Sequence, residues 1–212
     1  MAVAGSPDPW APTFPYGLVP RILELVIAAW AGLPKPSSQE LEPRITRSLR
    51  DALRQTKNAT RDLPCLIDRE VVEDDAASGA EKGRIDIRFI HGYDEAVYFA
   101  FECKRLNVAT PNGGCRALAR EYVEEGMMRF VIGKYAAGLE HGGMIGFVMD
   151  GNSAAATARV DVEVKARTLP LRMTPGTGLA ISALLPAESA VRETRHPCRP
   201  SSLTLHHVFL AV

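Results

Sequence analysis

Apolar residues recur along the chain with two different periods, and the changes of period mark the elements. Pro20 stands where a first helix can start, and Arg21 to Ala31 carries a helical pattern that the Pro34 to Ser38 segment ends. A second helix is predicted over 41–57, where Leu41, Ile45, Leu49 and Leu53 repeat every four residues as an inward stripe. Glu42 lies beside that stripe near the helix start, with Pro43 in the first turn. The period then falls to two. Leu66 to Val72 reads as a strand, and residues 73–82 form an acidic connection rich in small residues. Arg84 to Ile90 sets Ile85, Ile87 and Phe89 against Arg84, Asp86 and Arg88. After a turn at 91–96, Val97 to Lys104 sets Val97, Phe99, Phe101 and Cys103 against Tyr98, Ala100, Glu102 and Lys104.

A Gly/Pro/Asn loop is predicted over 107–114, a long helix over 116–138, a buried strand over 144–149 and an Ala-rich helix over 152–168. Residues 170–200 read as irregular, and 202–212 as a last strand. Neither a repeat nor a second domain is evident. The expected organisation is a flexible Pro-rich arm over 1–17, then one α/β domain over 18–212 with a mixed central sheet flanked by helices.

The two alternating strands allow a geometric argument. In an antiparallel hairpin, opposed residues have position numbers with a constant sum and share a face. Both apolar sets must meet one core, so that sum is even. A turn centred on Asp94 sets the sum at 188, which puts Phe89 opposite Phe99 and Asp86 opposite Glu102. Cross-strand Cβ atoms are about 5 Å apart, so two carboxylates there repel unless something positive lies between them. A divalent cation such as Mg²⁺ answers that need, taking one or two carboxylates plus water and phosphate. Lys104 follows on the same face of the strand as Glu102, where its ammonium can orient or deprotonate water or stabilise charge developing on a phosphate. The simpler alternative is a set of cross-strand ion pairs, Asp86, Arg88, Glu102 and Lys104, on a solvated sheet face. A second Glu-x-Lys at Glu163 and Lys165 follows an Ala/Ser/Thr-rich stretch without a partner strand and reads as an exposed charged element.

Composition narrows the class. With 46% hydrophobic and 24% charged residues, the chain is ordinary globular material rather than disordered. The longest apolar stretch, Ile22 to Leu33, contains Glu24 and is too short for a bilayer, and no secretory signal is evident, so the expectation is a cytoplasmic protein without membrane contact. Cys65, Cys103, Cys115 and Cys198 lack zinc spacing and read as reduced, incidental thiols. The 25 basic and 25 acidic side chains give zero net charge. That balance argues against strong non-specific DNA binding, which needs many cations on phosphates.

The segments Gly83-Arg84-Ile85-Asp86-Ile87 and Phe99-Ala100-Phe101-Glu102-Cys103-Lys104-Arg105 resemble the PD-(D/E)xK nuclease superfamily over roughly 40–150, with Ile85 where the signature has proline. The resemblance implies a restriction-endonuclease-like fold and a nuclease dependent on Mg²⁺ or Mn²⁺. Asp86 and Glu102 would hold the ion with the Cys103 carbonyl, and Lys104 would assist the attacking water. Glu42 is the matching helix glutamate and Glu40 the fallback. It also implies a nucleic-acid substrate, with DNA first, and a setting in bacterial restriction or anti-phage defence, where a homodimer or a partner protein is to be expected. Two rivals stand beside it: a non-catalytic DNA-binding or assembly subunit with the same fold, and a metal-dependent phosphoesterase acting on nucleotides in a closed pocket.

Other residues carry lesser expectations. Arg129 and Lys134 on the long helix, with Arg195 in a late basic loop beside Arg192 and Arg199, are the candidates for contacting a nucleic-acid backbone. A solvated helix face is the competing account of Arg129 and Lys134. Tyr122 sits in no QxxxY pattern. Glu70 reads as a supporting carboxylate or an edge charge. His141 reads as a turn histidine, and His196, His206 and His207 form no metal spacing.

Overall fold

The computed structural model describes residues 14–61, 63–74, 81–92, 95, 97–136, 138–198 and 202–212, with backbone alone for 69–74, 81 and 82. Arg199, the turn centre Asp94, the side chain of Glu70 and residues 1–13 of the predicted arm lie outside that description.

The core is a mixed seven-stranded sheet covered on both faces. Strands β1 (Leu66–Asp74), β2 (Glu81–Ile90) and β3 (Tyr98–Leu106) form an antiparallel meander. A small hairpin, β4 (Val108–Ala109) and β5 (Cys115–Arg116), stands apart. β6 (His141–Val148) lies parallel to β3, β9 (Ser202–Ala211) parallel to β6, and β8 (Val191–Pro197) antiparallel to β9. β7 (Ala180–Ile181) closes the order β1-β2-β3-β6-β9-β8-β7. Strand β8 falls inside the stretch read as irregular, so Arg192 and Arg195 lie on a strand rather than a loop.

One face is covered by α1 (Val19–Gly32) and α2 (Glu42–Thr60), the other by α3 (119–131) and α4 (Ser153–Ala166). Alternation decides which strand residues meet which layer. Phe99, Phe101 and Cys103 face α1 and α2, whereas Tyr98 and Ala100 join Tyr122, Val123 and Met127 of α3. The polar set of β2 and β3 is therefore not a solvated face. Arg88 is buried there, paired with Asp68 and Glu95 and lying against the Tyr98 ring. Ile85, in phase with Ile87, belongs to the α3 side beyond the last β2–β3 pair.

Three further boundaries differ from expectation. Phe14 is buried against Phe99 and His91, and a 3₁₀ turn spans Tyr16–Leu18, so the folded body reaches into the region read as an arm. Leu41 precedes the first turn of α2 in an extended conformation, falls out of helical phase and is exposed, while Ile45, Leu49 and Leu53 are buried. The helix predicted over 116–138 is shorter: Leu118, with positive φ, precedes it, and Ile132, Gly133 (φ 73°) and Ala136 (φ 51°) turn the chain away after Val131. Its middle, Tyr122–Met127, is a π segment, a local widening frequent at functional sites. No helix among the described residues is long and apolar enough to cross a membrane.

The histidines are structural. Tyr122 Oη and His207 Nδ1 share a hydrogen bond of 3.0 Å, His207 Nε2 meets Thr194 Oγ1 at 2.9 Å, and that hydroxyl meets His196 Nε2 at 2.8 Å. His141 Nδ1, at the start of β6, and His206 Nε2, midway along β9, are 3.2 Å apart. Burial holds the pKa of His141, His196 and His207 below 6.5 and pushes His206 down to about 3. Unfolding in acid lets these imidazoles take up protons that the native state refuses, so stability falls as pH drops below 6.5. We expect the urea midpoint to fall steeply from pH 6.5 to pH 4, and His206→Gln to flatten the slope. An unchanged slope would contradict the assignment.

Candidate active site

The site lies where β2 and β3 part. Their paired residues run from Ile90↔Tyr98 to Ile87↔Phe101, each with the predicted sum of 188, and end there. Cys103 and Arg105 continue the edge of β3 that faced β2, so their N–H groups need other acceptors. Two carboxylates supply them. Asp86 Oδ2 accepts from Cys103 N at 2.7 Å, and Glu42 Oε2 accepts from Arg105 N at 2.9 Å. Since N–H and C=O of one strand residue point to the same edge, the Cys103 carbonyl also opens into this gap.

Glu42 reaches the gap from the first turn of α2, where the extended Leu41 and Pro43 fix the helix start and the helix dipole favours an acid. Glu40 does not arrive with it: its carboxylate pairs with Arg44, and only its carbonyl takes part, accepting from Arg105 Nη1 at 3.1 Å.

Glu102 projects to the α3 side and is 1% exposed. Its Oε1 accepts from Lys104 Nζ at 2.7 Å and from Arg129 Nη1 at 2.9 Å, while its Oε2 is buried with no hydrogen-bond partner among the described residues. Lys104 Nζ also donates to the Cys103 carbonyl at 3.1 Å and to Glu42 Oε1 at 3.4 Å. The Lys104 stem passes Gly126 of the π segment, where an added Cβ would stand 3.7 Å from Lys104 Cγ and 2.4 Å from Met144 Cε.

Electrostatics follow from this crowding. Burial, then the charge of Glu102, pushes Asp86 up to about 7 despite the Cys103 hydrogen bond. Burial likewise raises Glu102, against the pull of Lys104 and Arg129. For Lys104, burial works to lower the pKa, but Glu102 and Glu42 outweigh it and hold the ammonium above its ordinary value. An ammonium so held donates hydrogen bonds and does not abstract protons. The Cys103 thiol, raised far up by burial, is no nucleophile.

The cations proposed for nucleic acid separate. Arg129 is half-buried and engaged: besides Glu102 it donates to Tyr135 Oη at 2.8 Å, and that hydroxyl donates to the Arg84 carbonyl at 2.5 Å. Lys134 lies over Gly83, where an added Cβ would meet its Cε at 2.8 Å and Tyr135 Oη at 3.0 Å, so it flanks the site. Arg195 sits on β8, three strands from β3, paired with Glu193, and is not part of the site. Register sets Glu70 opposite Asp86, between Arg69↔Ile87 and Val71↔Ile85. Glu163 and Lys165 lie on α4 in ion pairs with Arg167 and Asp161. The link from Arg129 to Glu102 has no local sequence signature, although Gly133 marks where the helix stops and the chain returns.

No three His, Cys, Asp or Glu side chains among the described residues converge as a metal-holding group. Two carboxylates with a backbone carbonyl are a smaller set of that kind, and one that suits Mg²⁺, which keeps several waters. The orphaned Glu102 Oε2 beside Asp86 fits such an ion. Cavities of about 770 Å³ between α1 and α4 and about 500 Å³ between α1 and α2 are lined by other residues. Comparison with protein-family models, with curated proteins and with solved structures gives no match.

Proposed function

We propose that this chain is a metal-dependent nuclease of the PD-(D/E)xK, restriction-endonuclease-like kind, hydrolysing phosphodiester bonds with DNA as the first substrate class. One observation carries the reading. Glu102 Oε2 is a buried carboxylate oxygen with no partner among the described residues, in a group already crowded by Asp86. Native interiors leave few such atoms, and a bound ion is one of the reasons they exist. Capping of the β3 edge accounts for Asp86 and Glu42, but not for Glu102.

Mg²⁺ or Mn²⁺ held by Asp86, Glu102 and the Cys103 carbonyl would supply positive charge to the phosphate and make water more acidic. The chain's own groups supply the rest. Lys104, fully charged, donates a hydrogen bond to the attacking water or to a phosphate oxygen as charge develops. Glu42 holds both that ammonium and the Arg105 N–H, which keeps the β3 edge in register with α2. Lys134 beside Gly83 would be a further cation for a neighbouring phosphate. The gap between splayed strands suits a polymer better than a nucleotide in a closed pocket. Restriction or anti-phage defence is part of the same proposal.

The test is incubation of the purified chain with supercoiled plasmid, linear duplex, single-stranded DNA and RNA, with Mg²⁺, Mn²⁺ or EDTA. The expected result is cleavage of DNA with either metal and none with EDTA. Cleavage that resists EDTA would sink the metal reading. Intact polymers under every condition, alone and with neighbouring gene products, would favour the assembly-subunit reading, which zero net charge also favours.

A further inference from the structure

The gap between β2 and β3 is spanned twice. Asp86 crosses it to Cys103 N, and a second chain of hydrogen bonds crosses it on the α3 side. There the Arg84 carbonyl accepts from Tyr135 Oη, which accepts from Arg129 Nη1, which also donates to Glu102 Oε1. Arg84 is two residues before Asp86, so this relay ties the backbone carrying one acid to the carboxylate of the other. Both cations on Glu102, Lys104 and Arg129, take the same oxygen, and Oε2 is left over.

We infer that Arg129 and Tyr135 are positioning residues, which fix the spacing of Asp86 and Glu102 and turn Glu102 Oε2 toward the metal. The inference rests on the metal-dependent reading of the same site. Its chemistry is that of a supporting shell: a guanidinium anchored by Tyr135 pins one carboxylate oxygen, and the free oxygen inherits a defined direction. Loss of such outer partners weakens metal binding by about 10- to 100-fold. Charge alone argues the opposite sign, because removing a cation from beside a metal should tighten its binding. Weaker binding is therefore a signature of positioning.

The experiment measures Mn²⁺ binding by electron paramagnetic resonance in the full chain, for the native sequence, Arg129→Met, Arg129→Lys, Tyr135→Phe and Glu102→Gln, with steady-state cleavage of duplex DNA beside it. Arg129→Met should raise the Mn²⁺ Kd by about 10- to 100-fold, with Tyr135→Phe intermediate and Arg129→Lys partly restored. In cleavage, kcat should fall while KM for DNA moves less than about threefold, as expected when only the reacting centre is disturbed. Unchanged Mn²⁺ affinity in Arg129→Met, or a raised KM with intact kcat, would overturn the inference and make Arg129 a phosphate contact. Glu102→Gln separates the failures. If it binds Mn²⁺ as well as the native chain does, the metal reading itself fails; if it loses binding while Arg129→Met keeps it, only the role of Arg129 fails.

Discussion

Asp86→Asn should lower the proposed metal-dependent cleavage by about a thousandfold or more and, without metal, leave the protein more stable above pH 7 than the native chain. The loss would follow from removing the formal charge proposed to hold the ion, on which both phosphate polarisation and water activation would depend. The gain follows from the same carboxylate. Asparagine retains an oxygen that can accept from Cys103 N, so the strand edge stays capped. What it lacks is the cost of burying a negative charge beside Glu102. With its pKa raised from 3.8 to about 7, Asp86 keeps in the native state a proton that the unfolded chain has already released. The Asp86 contribution to native stability therefore declines as pH rises from about 4 to 7, opposite in sign to that of the buried histidines, and its full penalty is present above 7. The advantage of Asp86→Asn should grow over that window and then level off, as read by urea midpoints at pH 4 and pH 8 in EDTA. Adding Mn²⁺ should reverse the order, since a ligand at a hundredfold excess over its Kd stabilises the binding-competent protein by about 2.7 kcal/mol. A variant less stable than the native chain at pH 8 would contradict this account.

The second large effect concerns Lys104. Lys104→Met should reduce cleavage by about 100- to 1,000-fold, the range for removing one preorganised donor from a developing charge. Glu42 and Glu102 hold the ammonium above its ordinary pKa, so its role is that of a donor and a fixed charge. Arginine is always protonated, so Lys104→Arg should keep a measurable share of the rate. An arginine variant as inactive as the methionine one, with metal binding intact in both, would mean that Lys104 takes a proton after all.

How much of this was legible in the sequence differs by element. The hairpin register was readable because period-two alternation demands an even sum and a turn centred on Asp94 sets it at 188, and the observed pairing has it. Alternation could not reveal that both sheet faces are covered. Tyr98 and Ala100 sit in phase with Glu102 and Lys104, and their burial depends on α3, which arrives from distant sequence. Glu42 was singled out by the resemblance, as the glutamate at the start of the preceding helix, whereas its hold on Arg105 N requires knowing that the β3 edge is left open. Strand β8 was hidden because Val191–Pro197 mixes charged and apolar residues and gains its order from pairing with β9. Arg129 was legible as a cation on a helix but not as a partner of Glu102, because no local pattern encodes a contact between residues 27 apart.

The account turns on whether Asp86 and Glu102 hold a divalent cation. The most direct measurement is anomalous diffraction at the manganese edge from crystals of the chain soaked in Mn²⁺, with Glu102→Gln crystals treated identically. The account predicts a peak between Asp86, Glu102 and the Cys103 carbonyl in the native chain, lost in the variant. Well-ordered native crystals without a peak there, or with an equal peak in both, would contradict it.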